Sequence, residues 1–127
     1  MKMRINRNSI RFRTTRSEVL RVITEGCIEE TVYFSPGKES SLTYALVCKT
    51  GLLTPQIQYE PSKVTVLLPE EMATVWAETG QVGIYATIDI GLHGTLNLCV
   101  EKDFACLDRS DADNVDTFPH PMAGAIC

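Results

Sequence analysis

The sequence predicts an α+β fold: a mainly antiparallel β-sheet or barrel of about eight strands, built from two ββαββ repeats, with two helices and an acidic C-terminal tail. Three observations carry this expectation. Apolar residues alternate with period two in eight short runs, two stretches with helical spacing sit between strand pairs, and the chain aligns with itself when shifted by 54 residues. At 127 residues the chain is long enough for a single domain, 1–127, with its own core.

The elements follow in order. Residues 2–6 and 9–13 both alternate, and the two residues between them, Arg7-Asn8, predict a hairpin turn, with Asn8 tolerant of positive φ. Thr15-Arg16-Ser17-Glu18 has the spacing of a capping box, Val19, Leu20, Val22 and Ile23 form one apolar face, and Gly26 suits a left-handed C-cap, so a helix is expected over 16–25. Residues 28–34 and 42–48 are strands around a Ser35-Pro36-Gly37-Lys38 turn. Residues 56–59 and 64–68 are strands around Glu60-Pro61-Ser62-Lys63. Pro69-Glu70-Glu71 opens a second helix, with Met72, Ala73, Trp76 and Ala77 on its buried face and Gly80 as its cap. Strands over 82–90 and 95–101 close the series around Gly91-Leu92-His93-Gly94.

The 54-residue shift defines a first repeat over 2–48 and a second over 56–102, aligned without a gap, with a tail over 103–127 laid onto the body. Each half alone exposes an apolar sheet face and one helix stripe. Two halves can bury those faces against each other, as a barrel or as two packed sheets.

Composition bounds the function classes. No apolar run approaches a membrane span and no signal-peptide core follows Met1, so a cytoplasmic, membrane-free protein is the expectation. Five cysteines without a CxxC argue for reduced thiols rather than a disulfide framework. The net charge of −4 hides an asymmetry: residues 1–54 carry nine Lys/Arg against five Glu, and residues 55–127 carry three against eleven Asp/Glu. A P-loop, a GxGxxG and a paired-carboxylate motif are all missing from the sequence, and no cofactor is implied.

The first hairpin is the candidate site. A two-residue turn sets Asn6 opposite Ser9, Arg4 opposite Arg11 and Lys2 opposite Arg13, while Met3, Ile5, Ile10 and Phe12 take the other face. Lys2, Arg4, Arg11 and Arg13 therefore share one face, whose counterpart in the second repeat (Gln56, Gln58, Thr65, Leu67) is uncharged. Like charges directly opposite repel, so this face calls for an anionic ligand, an acidic protein partner, or the chain's own acids, with Asp108, Asp111, Asp113 and Asp116 as the candidates. Nucleic acid fits poorly, because the net charge is negative and no aromatic residue shares the face of the basic ones.

Other chemistry is weaker. Cys106, His120 and Cys127 in the tail are metal-ligand types at a loose spacing that matches no known finger; Cys106 and Cys127 could instead pair as a disulfide, and Cys106 with His120 could act as nucleophile and base. His93 in its glycine-flanked turn is expected to be exposed. Glu30, by alternation, points with Ile28 and Val32 toward the core unless the strand twists it out to water.

The segments Arg4-Ile5, Asn8 to Arg13, Ser17-Glu18-Val19, Thr43-Tyr44-Ala45-Leu46, Val82-Gly83 and above all Val100-Glu101-Lys102-Asp103-Phe104 with Cys106-Leu107 resemble a family of small bacterial proteins known as domain of unknown function 7009. The resemblance implies stand-alone cytoplasmic bacterial domains and supplies no catalytic residue. Residues and resemblance together point to a non-enzymatic binding module using the basic hairpin; the alternative is a metal- or thiol-dependent enzyme using Cys106 and the tail.

Overall fold

A computed structural model describes residues 1–105 and 115–119. The elements run β1 (Lys2–Asn6), β2 (Ser9–Thr14), α1 (Arg16–Glu25), β3 (Cys27–Tyr33), β4 (Ser41–Lys49), β5 (Gln56–Glu60), β6 (Lys63–Pro69), α2 (Glu70–Glu78), β7 (Gly83–Asp89) and β8 (Thr95–Lys102), with a 3-10 turn at Gly91–His93 before β8. This is the expected ββαββ order twice over, with strands that stay in two open sheets rather than closing into a barrel.

The halves exchange hairpins. One sheet has the order β1-β2-β8-β7 and the other β3-β4-β6-β5, so each combines a hairpin from each half. The hairpins are antiparallel, but the central contacts, β2 with β8 and β4 with β6, are parallel. Their registers are two-fold related: Ser9 pairs with Asn97 as Lys63 pairs with Thr43, each member displaced by 54 positions from its twin. The gapless alignment fails only at β7. Val100 pairs with Ile84 as Leu46 pairs with Ile28, so the twin of Ile28 lies 56 residues on rather than 54. The α2–β7 connection is three residues longer than the α1–β3 one, one of the three because α2 is a residue shorter than α1, and the net shift of two is offset by a β7–β8 connection two residues shorter than the β3–β4 one.

Inward-facing residues of both sheets and the helices make one core. Phe12, Leu46, Val66, Leu68, Trp76 and Val100 are fully buried, and Phe12 meets Tyr44 of the other sheet edge-on, ring centroids 5.9 Å apart. Trp76 satisfies its indole N–H on the Val82 carbonyl at 3.2 Å, which lets the largest core side chain be buried without an orphaned donor.

The helices begin differently. At α1 the capping box forms: the Thr15 amide donates to Glu18 Oε1 (2.9 Å) and the Glu18 amide donates to Thr15 Oγ1 (3.4 Å). Gly26 closes α1 at φ 83°, as the sequence indicates. Helix α2 has Pro69 at its N-cap with no side-chain cap, and it ends at Thr79 rather than Gly80, because Thr79 turns its own N–H (3.1 Å) and hydroxyl (2.6 Å) back onto the Val75 carbonyl. Lys102 replaces the basic residue missing from the last turn of α2: its buried ammonium donates to the Thr79 carbonyl at 2.7 Å and lies 5.1 Å from the Phe118 ring centroid. In the first hairpin turn Arg7, not Asn8, takes positive φ (51°), while Asn8 spends its side-chain amide on the Thr95 carbonyl at 2.7 Å, tying the turn to β8.

Candidate functional site

The hairpin register is the expected one, Lys2 opposite Arg13, Arg4 opposite Arg11 and Asn6 opposite Ser9. The parallel β2–β8 pairing then extends each pair across the sheet. The outer face of this sheet has three rows: Lys2–Arg13–Glu101–Gly83, Arg4–Arg11–Cys99–Tyr85 and Asn6–Ser9–Asn97–Thr87. The same rows on the other sheet read Gln56–Leu67–Val47–Cys27, Gln58–Thr65–Ala45–Glu29 and Glu60–Lys63–Thr43–Thr31. At twelve equivalent positions the first face carries four cations against one carboxylate; the second carries one cation against two.

The counter-charges come from the end of β8. Arg11 Nε lies 3.2 Å from Glu101 Oε1, and Lys2 Nζ lies 3.5 Å from Asp103 Oδ2. Arg4 and Arg13 form no ion pair among the described residues. Asp116 does not serve the hairpin. It accepts from the Ser17 hydroxyl and, at 3.1 Å, from the Ser17 amide at the start of α1, and those Ser17 hydrogen bonds hold its carboxyl below the usual range. Asp108, Asp111 and Asp113 lie outside the described residues.

Glu101 is held from both sides. Tyr85 Oη donates to Glu101 Oε2 at 2.9 Å, completing a Tyr85–Glu101–Arg11 chain. Local desolvation of the hydroxyl first, and then the bond to Glu101, push the Tyr85 phenol up to about 12, so it is a standing donor at neutral pH. Gly83 makes room for this reach. A Cβ there would lie 2.8 Å from the Val100 carbonyl and 3.0 Å from the Tyr85 hydroxyl. Cys99, between Arg11 and Tyr85, is pushed up to about 11 by burial and the neighbouring Glu101, so it is a neutral thiol and a small floor to the row. Arg11, Tyr85, Thr87, Asn97, Cys99 and Glu101 border a surface depression of about 470 Å³.

Other sequence candidates go elsewhere. Glu30 is exposed, its carboxylate 3.6 Å from the Met1 ammonium, which also pairs with Glu18. His93 is exposed. Cys27, Cys48 and Cys99 are free thiols. Cys106, His120 and Cys127, proposed as ligands, as a catalytic pair or as a disulfide, lie outside the described residues, and among the described residues no His, Cys, Asp and Glu group has a metal-binding arrangement. Sequence reasoning missed Tyr85, Asn97, Thr87 and Gly83. The available signal was the contrast of Glu101 with Val47 in the twin rows; the Gly83–Cys27 equivalence emerges only from the strand pairing.

Fold and face together define an α+β protein of two four-stranded mixed sheets, with a cationic outer face on one of them. Residues 1–122 match the model of a Family of unknown function (DUF7009), and the chain belongs to that family. No curated protein and no solved structure matches it. No helix among the described residues is long and apolar enough to cross a membrane.

Proposed function

We propose that the protein is a non-enzymatic binding module whose β1-β2-β8-β7 sheet takes an anionic ligand on its outer face. The observation that supports this most is the charge contrast between two hairpins of the same register. Arg4 directly opposes Arg11 on β1–β2, where β5–β6 sets Gln58 opposite Thr65. Opposed like charges cost up to about 1 kcal/mol per pair relative to neutral ones, and the twin hairpin forms without them. The fold therefore does not require the arginines.

Arg11 is the anchor. Its Nε is engaged by Glu101, and Glu101 is itself fixed by Tyr85. Such tethering limits the side-chain freedom lost on binding, and a guanidinium held through Nε directs its remaining donors to a phosphate or carboxylate. Arg4 and Arg13 flank it across the strand pair and along β2, and add attraction that weakens with salt. The test is salt-dependent retention on an immobilised polyphosphate matrix. Arg4→Ala/Arg13→Ala should elute at lower salt than the wild type, whereas Gln56→Ala/Gln58→Ala should not move. Equal elution of the wild type and the arginine variant would contradict the proposal.

A further inference from the structure

The depression beside Arg11 offers more than a bare anion can use. Glu101 stands within its border, fixed by Tyr85 and Arg11, and a carboxylate in that place accepts hydrogen bonds from hydroxyls. The next row is neutral and oriented. Thr87 Oγ1 donates to Asn97 Oδ1 at 3.2 Å, which leaves the Asn97 amide presenting its two N–H groups. Ser9 Oγ donates to the Asn6 carbonyl at 2.7 Å, which leaves its lone pairs to accept. Donors and acceptors thus border one depression of about 470 Å³ together with the Arg11 guanidinium. Tyr85 borders it on the far side, 60% exposed, with its hydroxyl tethered and its ring thereby held in place. Fixed amides, hydroxyls, a carboxylate and an immobilised aromatic ring suit a ligand whose groups both donate and accept.

We infer that this depression binds a polyhydroxylated anion, a sugar acid or a sugar phosphate, with its anionic group on Arg11 and its hydroxyls on Asn97, Ser9 and Glu101. The inference rests on the anion-binding reading above and narrows it to a ligand class. Arg4, opposite Arg11 on β1, adds charge at the anionic end, and the small Cys99 side chain lines the depression between Arg11 and Tyr85.

Calorimetric titrations of the full chain with a galacturonate oligomer, glucose 6-phosphate, and a polyacrylate oligomer of matched charge and no hydroxyls test it. The galacturonate or the sugar phosphate should bind at least about tenfold more tightly than polyacrylate, a gap of about 1.4 kcal/mol; whichever is tighter identifies the source of the charge. Asn97→Ala and, as a second variant at the same hydrogen bond, Thr87→Val should remove most of that gap while leaving polyacrylate binding within about twofold. Polyacrylate binding as tightly as both hydroxylated ligands, with arginine-dependent polyphosphate retention intact, would overturn the inference and leave the anion-binding reading standing. Loss of all binding together with loss of that retention would overturn both.

Discussion

The hairpins β1–β2 and β5–β6 are built on one plan, and they differ most on their outer faces. Both have two-residue turns and five paired positions, both bury a residue completely in the core at matching positions (Phe12 and Val66), and both expose an apolar residue near the turn (Ile5 at 61%, Tyr59 at 76%). Inner faces are thus interchangeable in kind. Outer faces are not: Lys2, Arg4, Arg11 and Arg13 stand where the twin has Gln56, Gln58, Thr65 and Leu67. What two equivalent hairpins share is what the fold needs. What only one of them carries is a candidate for function.

The largest effect that sharpens this division is expected at the shared inner position. Phe12→Ala should cost about 3–5 kcal/mol in denaturant unfolding, because its ring is wholly buried against Tyr44 and both sheets. That size of loss would mark the inner face as scaffold. Next comes Gly83→Ala, at about 1–3 kcal/mol: the new Cβ meets the Val100 backbone carbonyl at 2.8 Å and displaces the Tyr85 hydroxyl from Glu101. Its twin, Cys27, already carries a Cβ at the same register, so Cys27→Ala should change stability much less.

The helices extend the comparison. Thr15→Ala should cost about 0.5–2 kcal/mol by thermal unfolding, a loss with no counterpart on α2, where no side chain caps Pro69. The pH dependence lies at the same end of α1. Burial pushes the Glu18 carboxyl upward, but hydrogen bonds from the Met1 ammonium and the Thr15 amide outweigh it and hold the group below its ordinary 4.5. The unfolded chain binds that proton first as pH falls. Glu18 therefore contributes stability that is complete above about 4.5 and is lost as pH drops through its lower folded value. Glu18→Gln should flatten the acid limb of a stability-versus-pH curve and leave the neutral region without slope. The smallest effect is the most pointed: Arg4→Gln/Arg13→Leu, which copies the twin hairpin, should raise stability by up to about 1 kcal/mol per opposed pair while shifting polyphosphate elution to lower salt.

Much of this division was legible in the sequence. Period two and a two-residue turn determine a hairpin register locally, so Arg4 opposite Arg11 followed from residues 2–13 alone, as did the Thr15–Glu18 box. What brings Glu101, Asn97 and Tyr85 beside those arginines is the parallel pairing of β2 with β8, which joins segments almost 90 residues apart and leaves no local signature. The displacement of β7 was hidden for a different reason: an insertion before the strand and a shortening after it cancel, so the flanking elements stayed in register while β7 moved by two. Asp116 was misassigned because charge alone cannot tell a cationic hairpin from the positive end of a helix as the place where a carboxylate settles.

Amide chemical shifts during titration with a galacturonate oligomer separate the two sheets. Perturbations are expected at Arg11, Tyr85, Asn97 and Glu101 on the β1-β2-β8-β7 sheet, with the twin positions Thr65, Glu29, Thr43 and Val47 unmoved. Perturbations shared equally by the two sets, or confined to the second, would contradict binding on the first sheet.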